Sequence, residues 1–300
     1  MINQLTYLLY LAQERHFGRA AAVCGVAQPT LSAGIKQLED MFGVPLVRRG
    51  SRFLGLTPEG EVVLTWARRI VSDDRAMREE VRALRLGVTG HVRIAAIPTA
   101  IAVVARLTTP FAASHPAVTL SVLSRSSDEI LAGLDDLEFD LGLTYLDTEP
   151  VGRSRRLPLY RERYCAITPA QGPLGDRTDL AWADLAGVPL CLLTEDMQNR
   201  RIIGRKLRAA GVEPAPVLES NSLLALLAHV RHGSWTTVVP LSIAATLDQA
   251  GRACTLPIRD PQGGPVIGLI YPARDPLTPA LAAFIKATSS TTSSLDDPER

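Results

Sequence analysis

The segment QPTLSAGIKQLEDMF, residues 28–42, carries the side chains whose chemistry is easiest to read. Leu31, Ile35, Leu38 and Phe42 recur at helical spacing and define a stripe to be buried. Gln28, Thr30, Ser32 and Lys36 are left on the rest of the cylinder, with Pro29 at the helix start. A Gln amide pairs bidentately with adenine, Ser and Thr hydroxyls reach base edges or phosphates, and a Lys ammonium meets phosphate or guanine. Arg48, Arg49 and Arg52 follow closely and suit phosphate or a narrow minor groove. A polar helix face standing alone is more often merely solvated, so the assignment depends on the elements around it.

A second set is rich in hydroxyls. Pro98 and Thr99 lie where an apolar, strand-like run gives way to a helix, Ser126 and Ser127 at the turn after the next strand, and Thr144 at the end of a third. Such turns put hydroxyls and backbone N–H groups at helix N-termini, which favours anions. With no acidic residue or aromatic cage among them, they suit a small polar or anionic ligand, for which formate or a small inorganic anion is a candidate.

Other chemistries find no support. No GxSxG, HExxH, GxGxxG or P-loop is present, which argues against an enzyme. Cys24, Cys165, Cys191 and Cys254 are scattered, with no CxxC and no His/Cys cluster at ligand spacing, so no disulfide framework, metal or cofactor is expected. No apolar run is long enough to span a bilayer, and MINQLTYLLYLAQERHFGRAA lacks the basic start and cleavage site of a secretory leader. The expectation is a cytoplasmic protein without membrane partners.

The chain has 300 residues, 46% apolar and 21% charged, which fits a globular protein of two or three domains. A net charge of +1 hides an asymmetry: residues 1–56 carry +3 and the remainder −2, so positive charge gathers where a duplex can use it.

The elements that must position these residues follow from pattern. Leu5, Leu8, Leu9 and Ala12 mark one helix and RHFGRAAAVCG a second. A short turn at Gly25 then leads into the third, as in a helix-turn-helix. VPLVRRGSRFLGL reads as a β-hairpin wing with arginines near its tip. Thr57 and Pro58 open a long helix whose positions Val63, Ile70, Met77 and Leu84 lie seven apart, with Ala67, Asp74, Val81 and Val88 four residues after each. That seam predicts pairing with a second copy, with Asp74 fixing register. Beyond Gly90 strands alternate with helices in an α/β pattern, and SSTTSSLDDPER reads as a disordered tail.

Together, RHFGRAAAVCGVAQPTLSAGIKQLEDMFGVPLVRRGSRFLGLTPEG and IAAIPTA resemble the LysR-type transcriptional regulators, and the resemblance runs from residue 3 to about 290. It is carried by the Q-P-x-L-S segment, the L-E near the helix end and the T-x-x-G opening the long helix. It implies a winged helix-turn-helix domain at 1–57 that is all-α apart from the wing, a dimerisation helix at 58–88 and an effector domain at 91–290, followed by the tail 291–300. The effector domain would have the fold of periplasmic binding proteins, with lobe I at 91–163 and 268–290 and lobe II at 164–267. It further implies double-stranded promoter DNA, a small-molecule effector and a second copy in a dimer or tetramer as partners, with RNA polymerase a candidate. Thr194 and Asn221 or Ser222 would face the cleft from the second lobe. Two departures stand out: Ala27 replaces the usual capping Ser, and Ala33 and Gly34 stand where larger polar residues are common. One branch of the family senses peroxide through a cysteine pair after the strand corresponding to VPLCLL. Here residues 194–211 contain no cysteine, so thiol sensing is not expected. A solute-binding protein is the competing reading, against which the first 90 residues speak.

Overall fold

In the computed structural model the described residues are 1–49, 53–148, 151–152, 154–246, 253–273 and 275–291. They divide into two compact units, the first built on Met1–Gly90 and the second on most of the chain that follows.

Three helices open the first unit: α1 (Ile2–Glu14), α2 (Phe17–Val23) and α3 (Gln28–Phe42). Leu5, Leu8 and Leu9 of α1, Ala20 and Ala21 of α2, and Leu31, Ile35 and Leu38 of α3 form one buried core. The sequence anticipates it, because apolar residues at i, i+3 and i+4 share a helix face. His16 precedes α2 and caps it, its Nδ1 accepting from Gly18 N (3.0 Å) and Arg19 N (3.3 Å). A short antiparallel ribbon follows, β1 (Val47–Arg49) against β2 (Phe53–Leu56), with Val47 opposite Leu56. Helix α4 (Pro58–Leu86) then runs 29 residues, about 43 Å at the usual rise. Thr57 caps it by accepting from Gly60 N at 3.0 Å, with Pro58 in the first turn.

The second unit holds two sheets. The first contains β3 (Gly90–Ala96), β4 (Val118–Ser124), β5 (Leu141–Tyr145), β6 (Arg155–Arg161) and β13 (Val266–Tyr271), in the order β4-β3-β5-β13-β6. β3 and β5 are parallel, whereas β13 runs antiparallel to β5 and β6. α5 (Ile101–Ser114), entered through a 3-10 turn at Pro98–Ala100, and α6 (Ser127–Asp135) connect the first strands, and α10 (Pro279–Thr291) follows β13. The second sheet has the order β11-β7-β12-β8, from β7 (Tyr164–Pro169), β8 (Leu180–Ala181), β11 (Thr237–Pro240) and β12 (Ala253–Arg259). Beside it β9 (Cys191–Leu193) pairs in parallel with β10 (Leu218–Ser220). α7 (Gln198–Ala209), α8 (Leu223–His232) and the short α9 (Leu241–Ala244) complete this lobe.

The chain crosses between the lobes twice, and the crossings lie side by side. Glu162 N donates to Pro265 O (3.0 Å) and the Arg161 guanidinium to Gly264 O (3.1 Å). The expected return to the first lobe at 268 comes slightly earlier, because β13 begins at Val266.

Strands β6 and β12 are absent from the sequence reading, and both contain an internal proline. Pro158 sits on an edge strand at a register shift, and Pro257 lies where β12 stops pairing with β7, just before its pairing with β8 begins, so each lost N–H is tolerated. The helix expected over AWADLAG is only a 3-10 turn, Trp182–Leu185. That expected over LSIAATLDQAG is described only for Leu241–Ala244 and the turn after it, and the tail 292–300 lies outside the described residues. No described helix is long and apolar enough to cross a membrane, and no described cluster of three or more His, Cys, Asp or Glu side chains is placed to hold a metal.

Candidate nucleic-acid interface and interlobe cleft

On α3, Gln28, Pro29, Thr30, Ala33 and Lys36 are exposed, while Ser32 is half-buried at the edge of the face. No side chain caps the helix at Ala27; Thr30 N (3.0 Å) and Leu31 N (3.2 Å) donate to the Ala27 carbonyl instead, and Pro29 has no N–H to satisfy. Gly34 has a packing reason. A Cβ there would lie 2.6 Å from the Tyr7 ring, so the glycine lets α1 approach α3 closely. Gln37, also exposed, accepts from the Gln4 amide at 3.1 Å, a brace that the sequence reading missed.

The residues that hold the wing to α3 are not those with the most obvious chemistry. Glu39, at the L-E of α3, accepts from Leu46 N (3.0 Å) and Val47 N (3.2 Å), tying the first wing strand to the helix. Thr57 N donates to Leu46 O (3.0 Å) and its hydroxyl to Pro45 O (2.7 Å). A Cβ on Gly60 would overlap the Leu46 carbonyl. The T-x-x-G pattern is therefore one joint: the threonine caps α4 and pins the wing's entry strand, and the glycine admits that strand's backbone. Arg48 is exposed on β1, whereas the Arg49 side chain and Arg52 lie outside the described residues.

The long helix departs from its expected seam. Val63 and Ile70 are partly buried against the three-helix core. Met77, Val81 and Leu84 stand exposed by 55%, 59% and 85%, and Val62 and Trp66, by 60% and 57%, extend the open stripe toward the helix start. The stripe turns because the core claims the face carrying Leu64 and Ala67. Asp74 accepts from Arg78 at 2.8 Å, so its charge on the seam is paired within its own helix.

Between the lobes of the second unit lies a cavity of about 740 Å³. Pro98, Ser126, Asn221 and Ser222 line it, as do Arg125 and Glu129, which the sequence reading did not single out. Thr99, Ser127 and Thr144 do not; they stand fully buried and bond to other side chains. Thr144 Oγ1 donates to Ser127 Oγ at 3.2 Å, and Thr99 Oγ1 lies 3.2 Å from the Tyr145 hydroxyl. Thr194 is also absent from the lining, and its Oγ1 is buried without a hydrogen-bond partner among the described residues. Ser126 and Glu129 form a reciprocal cap at the start of α6, the carboxylate accepting from Ser126 N (2.8 Å) and Oγ (2.9 Å). Ser222 caps α8 through Ala225 N (3.4 Å).

At the first crossing Glu162 is buried and accepts from the Tyr164 hydroxyl at 2.8 Å. Burial lifts its carboxyl to about 7, with hydrogen bonds from Tyr164 and Thr99 pulling the other way. Burial likewise pushes the Tyr145 and Tyr164 phenols well above their ordinary range, with the Glu162 charge adding to it. Burial raises the thiols in the same way, Cys165 to about 12 and Cys191 to about 11, with Cys24 and Cys254 raised too, which disfavours their thiolates.

Two family descriptions match the chain: a bacterial regulatory helix-turn-helix protein of the lysR family over residues 2–61, and a LysR substrate binding domain over residues 85–292. A hydrogen peroxide-inducible genes activator of Pectobacterium carotovorum subsp. carotovorum is 30% identical over 278 residues, spanning 92% of this chain and 91% of the relative. An SDS degradation transcriptional activation protein of a Pseudomonas species is 31% identical over 263 residues, 85% of this chain and 84% of that one. Among solved structures, a full-length OxyR variant from Pseudomonas aeruginosa superposes with a TM-score of 0.78 at 26% identity, covering 96% of this chain and 94% of its own. Full-length CbnR in complex with its target DNA shares the fold, with a TM-score of 0.65 at 24% identity over 97% and 99% of the two chains.

Proposed function

The chain belongs to the LysR family of bacterial transcriptional regulators, DNA-binding proteins rather than enzymes, and on that premise we propose how its own residues divide the work. The exposed face of α3 enters the major groove, with Gln28, Thr30 and Ser32 reading base edges and Lys36 engaging phosphate or guanine. Arg48, Arg49 and Arg52 of the wing grip the backbone alongside. Met77, Val81 and Leu84 join two copies along α4, two such dimers assemble on a promoter, and RNA polymerase is the partner to which the response is passed. A small polar or anionic effector enters the cleft between the lobes and sets the response. A regulator working on chromosomal promoters acts in the cytoplasm.

The observation that carries this reading is the joint at Glu39, Thr57 and Gly60, which fixes the wing's first strand to α3, the helix whose polar face is exposed. Selection of bound duplexes from a random pool by the full-length protein tests it. An enriched site with two inverted half-sites is expected, and retention of all sequences equally would refute it. A thiol-based peroxide response, which the relatives' names suggest, is not supported, because no cysteine lies in 194–211 and every thiol is raised.

A further inference from the structure

The cavity between the lobes has a wall whose chemistry bears on the effector. Its volume, about 740 Å³, falls within the range of sites that enclose organic ligands and far exceeds what formate fills. Ile101, Ala102 and Ala105 of α5 form one side, and Leu224 and Leu227 of α8 with Ile243 of α9 form the other. Polar groups gather at the rim, at Ser124–Ser126 on one lobe and at Asn221 and Ser222 on the other. The Glu129 carboxylate is bonded into its helix cap and the Arg125 guanidinium donates to Ser124 O (3.0 Å), so both charges line the cavity beside hydroxyls and an amide. Leu224 is 75% exposed and Ile101 36%, so large apolar side chains line a concave surface and stand open among the described residues. Exposed apolar area in a concave, polar-rimmed site marks a ligand surface more often than a random feature.

We infer that the effector is an amphipathic organic molecule: an apolar body lies between α5 and α8, and a polar or anionic head meets the rim at Arg125, Ser126 and Ser222. The inference rests on the effector-responsive reading of this cleft and excludes formate and inorganic anions as the natural ligand, since these leave the apolar wall in water.

Calorimetric titration of the full-length protein with straight-chain carboxylates of increasing length, from formate to octanoate, tests it, with the matching 1-alkanols in parallel. Each methylene buried against this wall should tighten binding by about fourfold. Both series should tighten with length until the cavity is filled. Ala105→Trp, at an exposed position on the wall, should flatten the dependence on length while leaving the melting temperature of the ligand-free protein unchanged. Affinity independent of chain length, a slope that survives Ala105→Trp, or absence of saturable binding across both series would each overturn the inference. The titration contains no DNA, so failure here leaves the DNA-binding reading standing, and failure of duplex selection leaves this result untouched.

Discussion

Single residues divide into those whose role follows from helical position and those whose role follows from a distant partner. Gln28, Thr30 and Lys36 belong to the first kind, because a residue's place on a helix is fixed by a period of 3.6 and burial of Leu31, Ile35 and Leu38 points the rest outward. Lys36→Ala should weaken binding to every duplex and lower the salt slope by about 1, whereas Gln28→Ala should mainly relax sequence preference. Fluorescence anisotropy on a selected site and a random duplex separates them, and equal losses on both duplexes for both variants would sink the distinction. Thr99, Ser127 and Thr144 belong to the second kind. Their hydroxyls turn inward because partners 46 and 17 residues away in sequence, Tyr145 for Thr99 and the Ser127–Thr144 pair, lie beside them. Glu162 is the extreme case, since a carboxylate among arginines in the sequence RERY reads as a surface residue until the fold buries it. Its folded carboxyl lies at about 7 against an ordinary value of 4.5, so the native state holds this proton where the unfolded chain has lost it. The contribution is full below pH 4.5 and is lost as pH rises through 7, a change on the order of 3 kcal/mol. Melting temperature of the wild type should therefore fall across pH 5 to 8 more steeply than that of Glu162→Gln, and parallel profiles would show that the carboxyl does not titrate there.

Among the elements, the wing and the long helix show two ways in which pattern meets packing. The hairpin was legible from β-type residues around a Gly-Ser turn, but its attachment was not, because Glu39 bonds backbone groups and leaves no periodicity. Thr57→Ala should cost about 1 kcal/mol through loss of the cap, and Gly60→Ala about 1–3 kcal/mol through overlap with the Leu46 carbonyl. Limited proteolysis around 45–60 should report both as faster cleavage, with Gly60→Ala the more severe; no change in rate would show that the joint does not hold the wing. On α4 the heptad count was legible, yet the seam's first half was assigned to a face that the three-helix core already uses, at Val63 and Ile70. The exposed stripe Val62, Trp66, Met77, Val81 and Leu84 is the remaining apolar surface. Leu84→Asp should shift sedimentation toward the monomer, whereas Val63→Ala should leave the assembly intact while lowering the stability of the N-terminal unit. An unchanged oligomer with Leu84→Asp would remove α4 as the pairing helix.

For the whole molecule, the four thiols give a prediction about signalling. All are raised by burial and none lies in 194–211, so hydrogen peroxide should leave the duplex-binding curve of the full-length protein unchanged, and so should replacement of Cys191 by Ser. A peroxide-dependent shift abolished by that replacement would reverse the conclusion. The sequence by itself determined the helix-turn-helix with its hairpin, the long helix and the alternating α/β pattern beyond Gly90, because local periodicity, caps and turn residues are properties of neighbouring positions; the division into two lobes came with the family resemblance. The sequence also determined that the chain is a regulator of the LysR type, through a motif whose spacing is local. Only the tertiary structure decided which hydroxyls reach the cleft, that its wall is apolar, that Glu162 is buried between two crossings and that half of the expected seam is already occupied. Each of these depends on pairs of residues far apart in the chain, and alternation along one element cannot say what lies across from it.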